Sequence, residues 1–336
     1  MALTAADERQ HPPGSDHAWQ ETMWFGAYDQ GNKFTLDMHL TRQPHRRGHG
    51  TRIEVNVIAV LDGEVISLGG IHGGDDLFAI PGLELGVIDP MKHFRLKFRG
   101  RGNVGSGQYG IYAENPHGKT HFEFTLDMHS AIPVCDLGEF YIGKYGGKVL
   151  GDSYVVAGKF RGHIEYGGKY VLLSGIMGRD HSWGNRDWSG WSSDHWGAVY
   201  GFLDDANTFI CFTNVPELGA DDFAVVHDKN GTRDLGVPTF HWDFGRAFKG
   251  APEGSVYIQN DSLPEGQHRL KIKPSLVIPY WQSSCTSSNR NQLWCQNVST
   301  FHWNNMDGVG LVTVGYSGES VSLPKGLERI GDPPSF

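Results

Sequence analysis

Residues 178 to 197, GRDHSWGNRDWSGWSSDHWG, hold four of the ten tryptophans of this 336-residue chain, with three aspartates, two histidines and two arginines. Side chains of extended backbone alternate between two faces, so Arg179, His181 and Trp183 share one face and Asp180 and Ser182 the other, before Gly184 frees the chain to turn. A charged group and a ring nitrogen held beside an indole face suit a cationic transition state. The π cloud attracts positive charge by roughly 0.5 to 2 kcal/mol and offers no nucleophile to trap it. The proton would come from Asp180, Asp187 or protonated His181, with Trp188 a second aromatic face. An adjacent arginine lowers a carboxyl pKa, so Arg179 and Arg186 count against the aspartates beside them; if both carboxylates are arginine-paired, His181 is the better donor. Two other readings of these residues stay open. One is an ion-pair lattice of Arg179 or Arg186 with Asp180 or Asp187, pinned under Trp188, Trp191 and Trp196 as core aromatics. The other is a sugar platform, with indoles on pyranose faces and two carboxylates placed for hydrolysis.

The elements that position this segment read as strands. YVLLSGIM, Tyr170 to Met177, is the most apolar pattern in the chain and predicts a buried strand running directly into the cluster. Ile53, Val55 and Val57 alternate with Arg52, Glu54 and Asn56 on the way to the hairpin signal Asp62-Gly63; Phe94, Leu96 and Phe98 alternate with Arg95, Lys97 and Arg99; Phe160, Gly162, Ile164 and Tyr166 alternate with Arg161, His163 and Glu165 before Gly167-Gly168. Almost no window repeats apolar residues at three-and-four spacing over ten positions, so the class is all-β with few, short helices.

Two echoes suggest related sheets. FTLDMH occurs at Phe34 to His39 and again at Phe124 to His129, and FHW at Phe240 to Trp242 and Phe301 to Trp303. Each Asp-x-His pair reads as a solvated sheet face with a cross-strand charge pair. Two metal ligands per strand is the functional alternative, but no third ligand stands at comparable spacing, so no metal is assigned.

Composition narrows the classes. A formal charge of -9, with no basic run beyond Arg46-Arg47, argues against nucleic acid and anionic membranes as partners. No stretch offers eighteen uninterrupted apolar residues, so membrane insertion is not expected, and MALTAADERQHPPGSDH reads as a short loose N-terminus without a secretion signal, which points to the cytoplasm. The four cysteines form no C-x-x-C pair; Cys285 and Cys295 flank TSSNRNQLW and could bridge, but without a secretion signal a reduced hairpin is the favoured reading. GRGNVGSGQYG and GQYGIYAENPHG read as hairpin loops; no G-x-G-x-x-G follows a strand and opens a helix, and neither a P-loop nor a nucleophile elbow is present, so no cofactor is called for.

The run GRDHSWGNRDW, with Asp180-His181-x-Trp183-Gly184 as its most specific core, resembles the motif of bacterial proteins in the superfamily that includes carotenoid 1,2-hydratase and fungal kievitone hydratase. The resemblance implies two lipocalin-like antiparallel β-sandwich or barrel units, set here at 1–175 and 176–336, with the motif opening the second unit and a ligand cavity between the two. By position, His181 and Trp183 match the hydratases' active-site histidine and tryptophan. Those enzymes also use a tyrosine and an aspartate two apart on a later strand; here no Tyr-x-Asp follows His181, and Phe202-Leu203-Asp204 and His241-Trp242-Asp243 stand nearest to it.

The implied activity is hydration of a C=C bond, or the reverse dehydration, on an apolar isoprenoid-like small molecule without a cofactor. His181, Asp180, Trp183 and Asp187 are the candidate catalytic residues, and Arg179, Trp188, Arg186, Trp196, His195 and Phe202 the candidate substrate contacts. A pericyclase or isomerase, and a non-catalytic carrier of hydrophobic ligands, are the rivals, and a homodimer is compatible with each.

Overall fold

The computed structural model describes residues 3–16, 18–46, 50–106, 119–138, 151–185, 195–214, 222–241, 253–264, 266–282 and 292–317. Ten strands build the first unit: β1 (Trp19–Asp29), β2 (Phe34–Arg46), β3 (Gly50–Leu61), β4 (Glu64–Gly73), β5 (Leu83–Asp89), β6 (His93–Ser106), β7 (Lys119–Ser130), β8 (Cys135–Asp136), β9 (Asp152–Tyr166) and β10 (Lys169–Asn185). Eight of them close an antiparallel barrel in the order β10-β1-β2-β3-β4-β6-β7-β9, completed by the β9–β10 pairing, while β5 and β8 attach to β6 and β9. The second unit is a closed barrel of β11 (His195–Leu203), β12 (Thr208–Asn214), β13 (Phe223–Asp228), β14 (Gly231–His241), β15 (Gly254–Gln259), β16 (Arg269–Gln282), β17 (Gln292–Trp303) and β18 (Met306–Ser317). The all-β, double-barrel expectation therefore holds. The 3-10 turn Ala5–Glu8 is the one complete helix among the described residues, and none there is long and apolar enough to cross a membrane.

Local chemistry explains the hairpins. Asp62 and Gly63 join Leu61 to Glu64, and Gly167 and Gly168 join Tyr166 to Lys169, with φ of 48° and 85° in the first and 54° and 79° in the second. Positive φ at both central residues gives the turn whose twist matches the flanking strands. An eight-stranded barrel is just wide enough to be filled by side chains. Phe25, Leu36, Val55, Phe98, Phe124 and Phe160 are among those that fill the first, all from the inward positions of their strands.

A second apolar cluster lies between the barrels. Trp24, Tyr28, Ile58 and Val155, from the outer face of the first barrel, meet Phe202, Phe209, Cys211 and Leu311 of the second. The Trp24 and Phe202 rings lie nearly parallel, 5° apart in plane with centroids at 6.5 Å. Gly178 makes room for Phe202, because a Cβ there would stand 2.2 Å from the phenyl Cζ.

Strand β10 departs from its sequence pattern in three ways. It pairs with β9 from Lys169↔Tyr166 to Trp183↔Asp152 and with β1 from Tyr28↔Ile176 to Trp19↔Asn185, so it closes the first barrel. The unit boundary expected at 175/176 falls inside it, and the second barrel takes up the chain at His195. Burial runs against hydropathy: Tyr170 and Leu172 are 58% and 69% exposed, whereas Arg179, Asp180, His181 and Ser182 are buried. The apolar half lies near the barrel rim, and the charged half is enclosed between the barrel interior and the second unit. The strand also continues through Gly184, whose φ of +135° accommodates the Gly151 backbone, and ends at Asn185.

Candidate functional site

The face argument for the motif holds. Arg179, His181 and Trp183 point into the first barrel alongside Met177, where Trp183 packs at the edge of the core. Asp180 points the other way, between Trp24 and Val155 of the inter-barrel face in register. Its carboxylate accepts from Ser153 Oγ at 3.0 Å and Ser182 Oγ at 3.3 Å, so Arg179 and Asp180 form no pair and Asp180 cannot reach the indole side of His181.

The partners of His181 come from strands and a segment that hold no part of the motif. Glu21 of β1, 0% exposed, sits opposite Arg42 on one side and Trp183 on the other. One of its oxygens, Oε1, accepts from His181 Nε2 at 3.0 Å, His11 Nδ1 at 2.9 Å and the His11 backbone N–H at 2.9 Å; Oε2 accepts from Arg42 Nη1 at 3.2 Å. His181 Nδ1 faces the Tyr154 hydroxyl at 3.4 Å across the β9–β10 pairing. Glu8 accepts from Tyr154 at 3.1 Å and from Arg179 Nη2, which also reaches the Tyr154 oxygen. The Arg179 guanidinium lies over the Phe94 and Tyr154 rings at 5.2 and 5.4 Å, and its Nε and Nη1 meet no acceptor among the described residues.

The N-terminal segment, expected to be loose, is a strap across the barrel mouth. Thr4 and Asp7 form a capping box that starts the 3-10 turn and aims Glu8 inward. Gln10 then ties the strap to the segment after β4, accepting from the Leu77 N–H and donating to the Asp75 carbonyl, both at 2.7 Å. His11 follows, stacked on Trp183 with ring centroids 3.7 Å apart and planes within 12°. Its Nε2 lies 3.3 Å from the Asp7 carboxylate.

These contacts set distinct protonation states. Burial alone would raise the Glu21 carboxyl, but hydrogen bonds from His11 and His181 overcome it and hold the group at about 2. Burial pulls His11 down, yet the Glu21 and Asp7 hydrogen bonds outweigh it and raise the imidazole above its ordinary value. For His181, fully enclosed, desolvation wins and lowers the pKa, with Glu21 offsetting only part and Arg179 adding to the depression. Burial raises the Tyr154 phenol. Near neutrality the set therefore holds a carboxylate, a protonatable imidazole on an indole face, and a neutral imidazole behind them.

His11, Glu21 and His181 also bring three metal-ligating atoms within 4.8 Å of one another. Glu21 already accepts from Arg42 and two imidazoles and Glu8 from Arg179, so a dication here would displace those bonds in a buried set beside two guanidinium groups, at a desolvation cost of several kcal/mol. Hydrogen bonding is the reading these neighbours favour.

Other expected site residues fall elsewhere. Phe202 is buried between the barrels, on the far side of β10 from His181. His195 and Trp196 lie in β11, opposite Tyr316 and Gly315. Arg186, Asp187, Trp188, Trp191 and the Cys285 side of the cysteine hairpin are outside the described residues. The expected cleft between the units exists, about 1350 Å³ in volume, but it is lined by Tyr28, Ser174, Arg269, Lys271 and His302 and sits at the opposite end of β1 and β10 from the His181 cluster.

Glu21 and Arg42 carried an unread signal. Each stands at the inward position of a strand whose other inward residues are apolar, Met23, Phe25 and Ala27 in β1 and Phe34, Leu36, Met38 and Leu40 in β2. A charge breaking that period marks a buried polar network.

The model of a domain of unknown function, DUF7064, matches residues 4–235. The chain belongs to the DUF7064 family. The match begins within the strap, so Glu8 and His11 lie inside this DUF7064 domain together with the whole first barrel. Among solved structures, an AttH protein of Nitrosomonas europaea aligns over 90% of this chain and 94% of its own, at 14% identity and a TM-score of 0.59. Kievitone hydratase from Nectria haematococca aligns over 95% of this chain and 94% of its own, at 12% identity and a TM-score of 0.55. At such identities the likeness is one of fold, and the DUF7064 chain shares the double-barrel architecture that its tryptophan motif implied. No curated protein sequence matches the chain.

Proposed function

We propose that this DUF7064 protein is a cofactor-independent hydratase or dehydratase acting on a C=C bond, or the corresponding tertiary or allylic alcohol, of a largely apolar small molecule. The observation that carries the reading is His11: an imidazole with a raised pKa, stacked on Trp183 and sharing the Glu21 carboxylate with buried His181. Imidazolium at His11, held at Nδ1 by Glu21, gives the Nε2 proton released from its longer contact with Asp7 to an alkene carbon, and the cation that forms is stabilised by the indole of Trp183. Water adds to the cation and its surplus proton returns to His11, so the net change is one water across one double bond. Glu21, locked by Arg42 and two imidazoles, stays ionised through the cycle and positions the donor. Asp180 is given no part in this step, because its carboxyl lies on the opposite face of β10.

The test is incubation with acyclic terpenes and their tertiary allylic alcohols in oxygen-18 water, with product mass as the readout. Label in the product supports hydration, whereas an unlabelled isomer or an unchanged bound ligand replaces it with rearrangement or carriage. His11→Ala should lower turnover by about 10²- to 10⁴-fold with the folded circular dichroism spectrum retained. Full activity in a folded His11→Ala, His181→Ala double variant refutes the assignment.

A further inference from the structure

We infer that His93, Asp127 and His129 form a zinc site on the outer surface of the first barrel, separate from the buried cluster and independent of the reaction proposed for it. His93 of β6 and His129 of β7 face each other directly in the ladder, and Asp127 precedes His129 by two residues, so all three project from the same face. Both imidazole Nε2 atoms converge on one carboxylate oxygen, Asp127 Oδ1, at 2.9 Å from His93 and 3.2 Å from His129. The three donor atoms lie within 4.8 Å of one another, and the two rings stack at 3.8 Å. Arg95, opposite Asp127 in register, grips the other carboxylate oxygen through Nε at 2.9 Å and Nη2 at 2.7 Å. That fork fixes the carboxylate plane and leaves Oδ1 turned toward the imidazoles, as an outer partner does for a metal ligand.

Two imidazole nitrogens and one carboxylate oxygen, with water in the fourth position, match the donor set and coordination number of zinc. The site is also preformed, because β6 and β7 are anchored on their inner faces by Phe94, Leu96, Leu126 and Met128. Partial exposure removes the desolvation cost that weighs against a dication at Glu21, since water screens Arg95 here. The sequence echo at Asp37 and His39 does not build a second site. There Trp24 Nε1 donates to Asp37 Oδ1 at 2.7 Å, and the residues that face His39 in register are Trp24 and Asn56, so no second imidazole stands opposite. The third ligand that sequence spacing could not supply is His93, thirty-four residues before Asp127 and adjacent only through the ladder.

Full-length protein stripped with a chelator and titrated with zinc chloride should bind one equivalent at this site at micromolar concentration, read by calorimetry, and zinc should raise its thermal midpoint. His129→Ala and Asp127→Asn should each weaken that binding about tenfold or more and abolish the midpoint shift, while His181→Ala leaves both unchanged. His129 is exposed on the sheet surface, so its variant is expected to fold; circular dichroism checks this, and Asp127→Asn provides a near-isosteric second variant. No saturable binding below about 100 µM, or binding that survives in a His93→Ala, His129→Ala double variant, overturns the site. Loss on His11→Ala with retention in His129→Ala would move the metal to the buried cluster and overturn it as well.

Discussion

Glu21→Gln removes the charge that organises the barrel mouth, and its effect can be worked from the contacts. The carboxylate is fully enclosed, accepts from two imidazoles, one backbone N–H and Arg42, and is held at about 2 against an ordinary 4.5. A depressed carboxyl pKa stabilises the fold above the unfolded value and loses that contribution as pH falls through the folded one. The difference corresponds to about 3 kcal/mol at pH 7 and roughly 1 kcal/mol at pH 3. Gln keeps one acceptor but sets an amide against the Arg42 guanidinium, whose charge is then matched by the exposed Asp75 carboxylate at 2.6 Å. Urea unfolding followed by tryptophan emission should therefore place the variant about 3 kcal/mol below the parent at pH 7, with the gap narrowing by more than half at pH 3. The His11 imidazole should also titrate lower in the variant, readable by proton-carbon NMR, because burial remains while its main acceptor is weakened. A variant within about 0.5 kcal/mol of the parent at pH 7, or a gap that does not shrink on acidification, would show that the carboxylate is not held as described.

Other consequences follow from the inter-barrel face. Burial pushes the Asp37 carboxyl up to about 7, with only the Trp24 hydrogen bond opposing it. The folded state therefore keeps a proton that the unfolded chain releases above 3.8, and stability falls by about 4 kcal/mol as pH climbs from 3.8 to 7. Asp37→Asn should remove that loss and raise the thermal midpoint at pH 8 relative to the parent while changing little at pH 4; equal shifts at both pH values would contradict it. Gly178→Ala places a methyl against the Phe202 ring and should destabilise the protein by about 1 to 3 kcal/mol, measured by urea unfolding. Adding Phe202→Leu should restore part of the loss, and a fully stable Gly178→Ala protein would show that the two barrels do not meet as tightly as the contact implies.

Periodicity carried the fold far. Alternation at Ile53 to Val57, Phe94 to Phe98 and Phe160 to Tyr166, with Asp-Gly and Gly-Gly turns, was enough to read antiparallel strands and their inward faces, because side-chain direction in a strand depends on parity alone. The same parity placed Arg179, His181 and Trp183 together. The run YVLLSGIM is only half buried: Leu173 and Met177 enter the core while Tyr170 and Leu172 are 58% and 69% exposed, since hydropathy reports preference and not position. The strap was misread for a related reason: polar composition suggested a loose segment, but Glu8 and His11 gain partners only when the barrel mouth supplies Arg179, Tyr154 and Glu21.

By itself, then, the sequence determined the strand class, the hairpin turns and one face of the site, all of which are local properties of consecutive residues. Tertiary structure alone decided which groups complete each cluster. Barrel closure brings β10 beside β1, so His181 bonds the carboxylate of Glu21, 160 positions away, and the β6–β7 ladder sets His93 against Asp127 and His129. Ladder register and chain closure are global quantities, and local patterning says which way a side chain points without saying what it will meet.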